Sequence, residues 1–451
     1  MKNRFNYIKA GQLAAPLALA LSVFASSPLQ AGATIPGISG PNFNLTAAED
    51  YLTTPDGGSV YVWGYGNGNN AAMQYPGPTL IVNQGQVVTV SLKNNLWKNT
   101  SIVFPGQEGV TTSCDAQVSV GTPGLLTCEA APNSPAVTYT FTASKPGTYL
   151  YHSGTRPDLQ TEMGLVGALI VRPTGYSASS PKAYNHAGSS YDHEYLSLLT
   201  EMDVRIHNEV ENGAYDTVDT RDYKPVWWFI NGRNGIDTVS ADNNPLLPNQ
   251  PYGSIIRTTP GAKVLLRLIG AGRDPHPYHT HGNHFTLLAK DARMFESSPG
   301  VSGPDRTSPG FTNETFPGET YDLLFTWTGS GLGWDMYGYT NATQPSYCDA
   351  NNAATPAYPA DKMTQSAADR CKALPVTLPG LQELTFGPFY SGSPYLGNAG
   401  ALPPGEGGFN ANNGYFYMWH SHSERELVNF NIFPGGMLTF LIVEPPGTAI
   451  P

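Results

Sequence analysis

Apolar and polar residues alternate with a period of two through much of this chain. Val88, Val90 and Leu92 interleave with Thr89, Ser91 and Lys93; Val137, Tyr139 and Phe141 interleave with Thr138, Thr140 and Thr142. Successive strand side chains point to opposite faces, so this spacing predicts half-buried β-strands. Sustained helical periodicity is absent, and only Ala367–Ala373 offers room for one short helix. The pattern is that of an all-β protein.

The same punctuation occurs twice. NQGQVVTVSLKNNL around Gly85 is echoed by TPGAKVLLRLIGAG around Gly261, and eighteen residues further on stand Val103 and His279 respectively. PGTYLYHSG (146–154) is matched by the split pair PGETYDLLF (317–325) and YFYMWHSH (415–422), and LIVRP (169–173) by LIVEP (441–445). Two copies of one Greek-key β-sandwich explain this, at 35–175 and 193–446 with a linker over 176–192. Val103 and His152 are 49 residues apart, whereas His279 and His420 are 141 apart, so the second copy carries about 92 extra residues. Much of that excess is a Gly-, Pro-, Asn- and Ala-rich insertion at about 337–413, read as a surface excursion.

Composition narrows the class. With 49 Gly and 39 Pro among 451 residues, helical bundles and coiled coils are excluded. Charged residues are 13%, about half the usual share, and the formal net charge of −11 argues against a nucleic-acid partner. Residues 1–31 have a basic start (Lys2, Arg4, Lys9), an apolar run over Leu13–Ala25 and small residues at Ala31 and Ala33. They read as a signal peptide, so the expected location is periplasmic or extracellular, without a membrane anchor. An even cysteine count in an oxidising compartment predicts two short disulfides, Cys114–Cys128 and Cys348–Cys371; a four-cysteine zinc site would need C-x-x-C spacing, which is absent.

Seven of ten histidines fall in three clusters: His152 in YHSG, His276, His279, His281 and His284 in HPYHTHGNH, and His420 and His422 in HSH. Strand residues two apart share a face, so His279/His281 and His420/His422 each present two imidazoles together, a donor set suited to copper or zinc. His186, His193 and His207 read as ordinary strand or surface histidines.

HPYHTHGNHF closely resembles the HPxHxHGHxF segment of the multicopper oxidases. GTYLYHSG…GLVGALIV and MWHSH…GGM resemble that family's second and last copper-binding segments, in the same order along the chain. The resemblance implies two cupredoxin-like domains, the second with a long insertion. It also implies copper as cofactor, a small-molecule or metal-ion substrate and, as in two-domain members, a homotrimer with copper between subunits. By family roles His152 and His422 would share one ion, His281 and His420 a second, and His279 would hold a third; His276 and His284 are further candidates.

The family pattern is broken in several places. Val103 and Pro105 occupy the first HxH pair, and Gly154 follows His152 where a second histidine is expected. Ser421 replaces the cysteine of the type 1 copper, and Glu426 stands where its second histidine would be. A serine hydroxyl cannot supply a thiolate bond, so a laccase-type electron relay is not expected. A reduced site of one or two copper ions is expected instead, with zinc also compatible. Glu424 and Glu426 are candidate oxygen ligands or proton donors, or partners of Arg425 or Arg273 in a salt bridge. Three functions remain open: a copper-dependent oxidoreductase with a non-blue, histidine-only site, a copper-sequestering protein, and an interaction protein that keeps the fold.

Overall fold

A computed structural model of the chain describes residues 34–114, 126–281, 284–329, 367–372, 415–444 and 448–451. The predicted signal peptide, nearly all of the insertion and Cys348 lie outside the described residues. The Cys348–Cys371 pairing therefore does too, whereas Cys114 and Cys128 are bridged with their Cα atoms 5.9 Å apart.

The fold is all-β, as the alternation predicts. Two sheets come from the first half. One orders the strands Ser59–Asn67, Asn42–Thr53, Val87–Asn94, Val137–Thr142 and Thr111–Thr112. The other orders Ile38–Ser39, Gly77–Asn83, Val166–Arg172 and Gly147–His152. The second half repeats the plan. Trp227–Ile230, His193–Met202, Lys263–Gly270, Thr320–Thr326 and Phe285–Lys290 run through one sheet. Ile256–Thr258, Leu438–Val443, Tyr415–Ser421, His276–Thr280 and Thr312–Thr315 form the other.

Each half has its own core. Val88, Val90 and Leu92 meet Val137, Tyr139 and Phe141 in the first, and Val264, Leu266 and Leu268 meet Leu323, Phe325 and Trp419 in the second. In the first, the alternate neighbours Thr89, Ser91 and Lys93 are only half-buried, whereas in the second Leu265, Arg267 and Ile269 are buried on the other face as well. A third cluster joins the halves, with Val62, Tyr75, Leu150 and Ile170 packed against Leu198, Met202, Trp227 and Phe229. Beside it lies a buried charge network. Arg172 and Arg267 both bond Glu194, at 2.5 and 2.6 Å, and Arg267 and Thr148 both reach Asp322, at 3.3 and 2.5 Å. Arg172 and Thr148 come from the first half, and Glu194, Arg267 and Asp322 from the second.

Three segments depart from the sequence reading. Val204–Glu211 is a helix, capped by the Asp203 carboxylate accepting from the Arg205 N–H at 3.0 Å. Its Ile206 and Val210 insert into the first core although it follows a strand of the second half. Two turns of helix are too short to display a period above the surrounding noise. Residues 367–370 form a turn rather than a helix. The segment expected to be a linker is packed down: Ala183, Tyr184 and Tyr191 are buried against Leu265 and Leu288, and Tyr184 donates to Asp322 at 2.5 Å.

Candidate metal centre

The second half brings four imidazoles together. In the His276–Thr280 strand, His279 lies opposite His420 of the Tyr415–Ser421 strand. The pairing extends past both strand ends, where the His281 N–H donates to Met418 O at 3.2 Å and the His422 N–H to Pro277 O at 2.7 Å. Register and alternation thus place both HxH pairs on one face. The His279 ring centroid lies 4.9 Å from that of His281, 5.5 Å from His420 and 4.8 Å from His422. Ligand atoms of His279, His281 and His420 all fall within 4.8 Å of one another.

The donor chemistry fits a metal ion. Nδ1 of His420 bonds the Ser421 carbonyl at 2.6 Å, which fixes its proton there and leaves Nε2 as a lone pair. His279 Nδ1 is likewise engaged, by the Thr312 hydroxyl at 2.7 Å. Such outer partners orient metal-ligating histidines. Nε2 atoms of His281 and His420 are 2.8 Å apart. Two nitrogens bound to one ion at about 2.0 Å and at right angles would be separated by about that much. Burial, followed by the neighbouring imidazoles, pushes His279 down to about 4 and His420 down to about 3, so both are neutral at pH 7 and able to donate.

The first half assembles no such cluster among the described residues. Val103 forms an isolated bridge with His152, with backbone bonds of 2.8 and 3.2 Å, occupying the place that His279 takes opposite His420. A Cβ built on Gly154 would stand 2.7 Å from Val103 Cγ1, so valine fills the space that a second histidine would need. His152 Nδ1 bonds the Ser153 carbonyl at 2.9 Å, which leaves its Nε2 unprotonated, but it stands apart from the other four. His284 is exposed and packs on Phe311, 5.3 Å between ring centres, rather than on the cluster.

His276 and Glu426 do something other than ligate. His276 is buried with Nε2 2.8 Å from Glu201 and Nδ1 2.9 Å from Glu426, so neither nitrogen is free for a metal. Burial alone would lower its pKa, but the hydrogen bonds and charges of the two carboxylates outweigh it and raise it to about 9. It is an imidazolium at neutral pH. Glu426 also accepts from Ser421 Oγ at 2.5 Å. The position that resembles a type 1 copper site thus holds a Ser421–Glu426–His276–Glu201 ion pair. Neither suggested arginine pairs with Glu426: Arg425 donates to the Pro225 carbonyl, and Arg273 stacks on Tyr223. Glu424 is exposed at the start of the Glu424–Leu427 turn.

Sequence reasoning missed Glu201 and Thr312. Neither sits in a histidine motif, and Glu201 is 75 residues from the ring it binds. The available signal was Glu426, a carboxylate standing where the family pattern has a histidine, because a buried carboxylate implies a cationic partner.

Residues 49–175 match the family model described as multicopper oxidase. Laccase-1 of Cryptococcus neoformans var. grubii is 28% identical over 270 residues, 58% of this chain and 39% of that protein. The iron transport multicopper oxidase of Saccharomyces cerevisiae is 34% identical over 139 residues, 30% of this chain and 20% of that one. The chain thus spans about two fifths of the laccase and one fifth of the yeast oxidase. Its fold is shared with the blue copper oxidase of Nitrosomonas europaea, 18% identical with a TM-score of 0.53, covering 90% of this chain and 85% of the other. Residues 49–175 thus carry a multicopper oxidase signature, and the chain as a whole shares the fold of a blue copper oxidase.

Proposed function

We propose that this protein is an exported copper-dependent oxidoreductase with a non-blue, histidine-only site built from His279, His281, His420 and His422. The observation that carries this reading is the convergence of these four imidazoles next to an ion pair that fills the type 1 position. Copper held there would supply one-electron redox chemistry. The residues supply the rest. Thr312 and the Ser421 carbonyl fix two imidazoles with Nε2 presented. His422 is exposed at the rim, which leaves one side of the cluster approachable. Without a thiolate relay, electrons have to come from a substrate that reaches the cluster itself, which favours a small molecule or a metal ion.

His152 completes the site in this reading from the corresponding surface of a second copy, in a homotrimer with one or two ions per interface. Its support is an Nε2 left free by the Ser153 carbonyl. The domain limits of 35–175 and 193–446 belong to the same proposal. Export by the 1–31 leader is supported by the Cys114–Cys128 bridge, which suits an oxidising compartment.

Copper loading of wild type and a His281→Ala/His420→Ala variant tests the assignment. The expected result is one or two coppers per chain in the wild type and none in the variant, with turnover of a phenol, ferrous ion or small nitrogen compound only in the loaded wild type. Copper uptake without turnover of any of these makes the protein a copper-sequestering one, and normal turnover by a metal-free preparation excludes copper chemistry.

A further inference from the structure

Ser421 lies between His420 and His422 in sequence, but strand alternation turns it to the opposite face, where it is fully buried. There it belongs to a linked set of side chains that ties three elements together behind the imidazoles. His276 is the hub, on the same strand as His279. One nitrogen holds Glu201, at the end of the His193–Met202 strand, and the other holds Glu426, on the Glu424–Leu427 turn. Glu201 is itself anchored by the backbone N–H groups of Arg273 and Asp274, at 2.5 and 3.0 Å, just ahead of the ligand strand. Glu426 takes the Ser421 hydroxyl, and Ser421 Oγ in turn accepts the Ser423 N–H at 3.2 Å.

The ladder between the two ligand strands ends at the Tyr278–Ser421 pair, followed by the single bond from the His422 N–H to Pro277 O. His422 is therefore the last ligand before the chain turns away. Glu426 lies on the turn that follows.

We propose that Ser421, Glu426, His276 and Glu201 form a positioning clamp that fixes the two ligand-bearing strands, and His422 in particular, in the geometry that the metal requires. The inference rests on the histidine-only site and assigns residues that act through the ligands rather than on the metal. The clamp is dry, since the side chains of His276 and Glu201 are wholly buried. Removing one partner leaves a buried charge uncompensated and lets the turn relax.

The test uses the full chain loaded with Cu(II), comparing wild type, Ser421→Ala, Glu426→Gln and, as a control, Val264→Ala, an apolar core position outside the hydrogen-bonded network. Competition titration gives copper affinity, EPR gives ligand geometry, and thermal melts give stability. The clamp predicts affinity roughly tenfold to a hundredfold weaker in Ser421→Ala and Glu426→Gln, the usual size of an outer-shell loss, with broadened copper hyperfine lines. Val264→Ala should lower Tm while leaving affinity and spectrum as in the wild type. If Ser421→Ala and Glu426→Gln lower Tm but keep wild-type affinity and spectrum, the network only stabilises the fold and the clamp is wrong. If the wild type takes up no copper, the histidine-only site fails, and the clamp with it.

Discussion

The two halves of this chain lay equivalent strands around different fillings. In the second, His279 faces His420 across a strand pair and four imidazoles gather. In the first, Val103 faces His152 at the matching bridge and fills the space above Gly154. The framework is shared in outline, with 5- and 4-stranded sheets in the first half and 7- and 5-stranded sheets in the second. The contrast shows how a repeated sandwich can hold polar ligands in one copy and apolar packing in the other. It also shows what His276 does beside the cluster: paired with Glu201 and Glu426, it joins three elements through buried opposite charges.

The largest effect expected from breaking this contrast is loss of copper by the second half. His281→Ala with His420→Ala should lower copper affinity by more than about a thousandfold, since each step of about 1.4 kcal/mol is tenfold and two ligand bonds are removed. Val103→His should add no copper to the first half, because a single imidazole beside His152 lacks further ligands. Copper counts per chain check both.

Next is the seam that both halves share. Arg267→Ala leaves Glu194 and Asp322 buried without their common partner and should cost about 3–5 kcal/mol in urea unfolding. A loss below about 1 kcal/mol would mean that water enters the seam.

The ion pair gives a pH signature opposite in sign to that of His279 and His420, whose lowered pKa values destabilise the fold as pH falls below about 6.5. His276 titrates near 6.5 in the unfolded chain and is raised to about 9 in the fold. Its contribution is therefore fully present below about pH 6.5 and is lost as pH rises through about 9. The stability difference between wild type and His276→Gln, on the order of a few kcal/mol at pH 6, should shrink steadily towards pH 10. A difference that stays constant over that range would show that the ring is neutral.

The smallest effect is a packing one. Gly154→Ala meets Val103 Cγ1 and should cost about 1–3 kcal/mol, and adding Val103→Ala should recover part of that loss.

Much of this was legible in the sequence because it is periodic. Strand alternation gave the sheets, the eighteen-residue interval set Val103 against His279, and HxH spacing put imidazole pairs on one face. What stayed hidden was long-range or short in extent. Glu201 and Thr312 reach the site through tertiary contacts that no local spacing encodes. The Val204–Glu211 helix is too brief to show a period, and Tyr184 looks like part of a polar linker until its hydroxyl is seen on Asp322. His276 was misleading for a related reason: its motif is that of a ligand, and only its two carboxylate neighbours show that it is a cation.

The histidine-only copper site is tested first by copper stoichiometry with optical and EPR spectra on one copper-loaded sample of the wild-type chain. One or two coppers per chain, nitrogen hyperfine structure from imidazoles and no intense blue absorption are expected. An intense blue band, or a loaded chain with no bound copper, would contradict such a site.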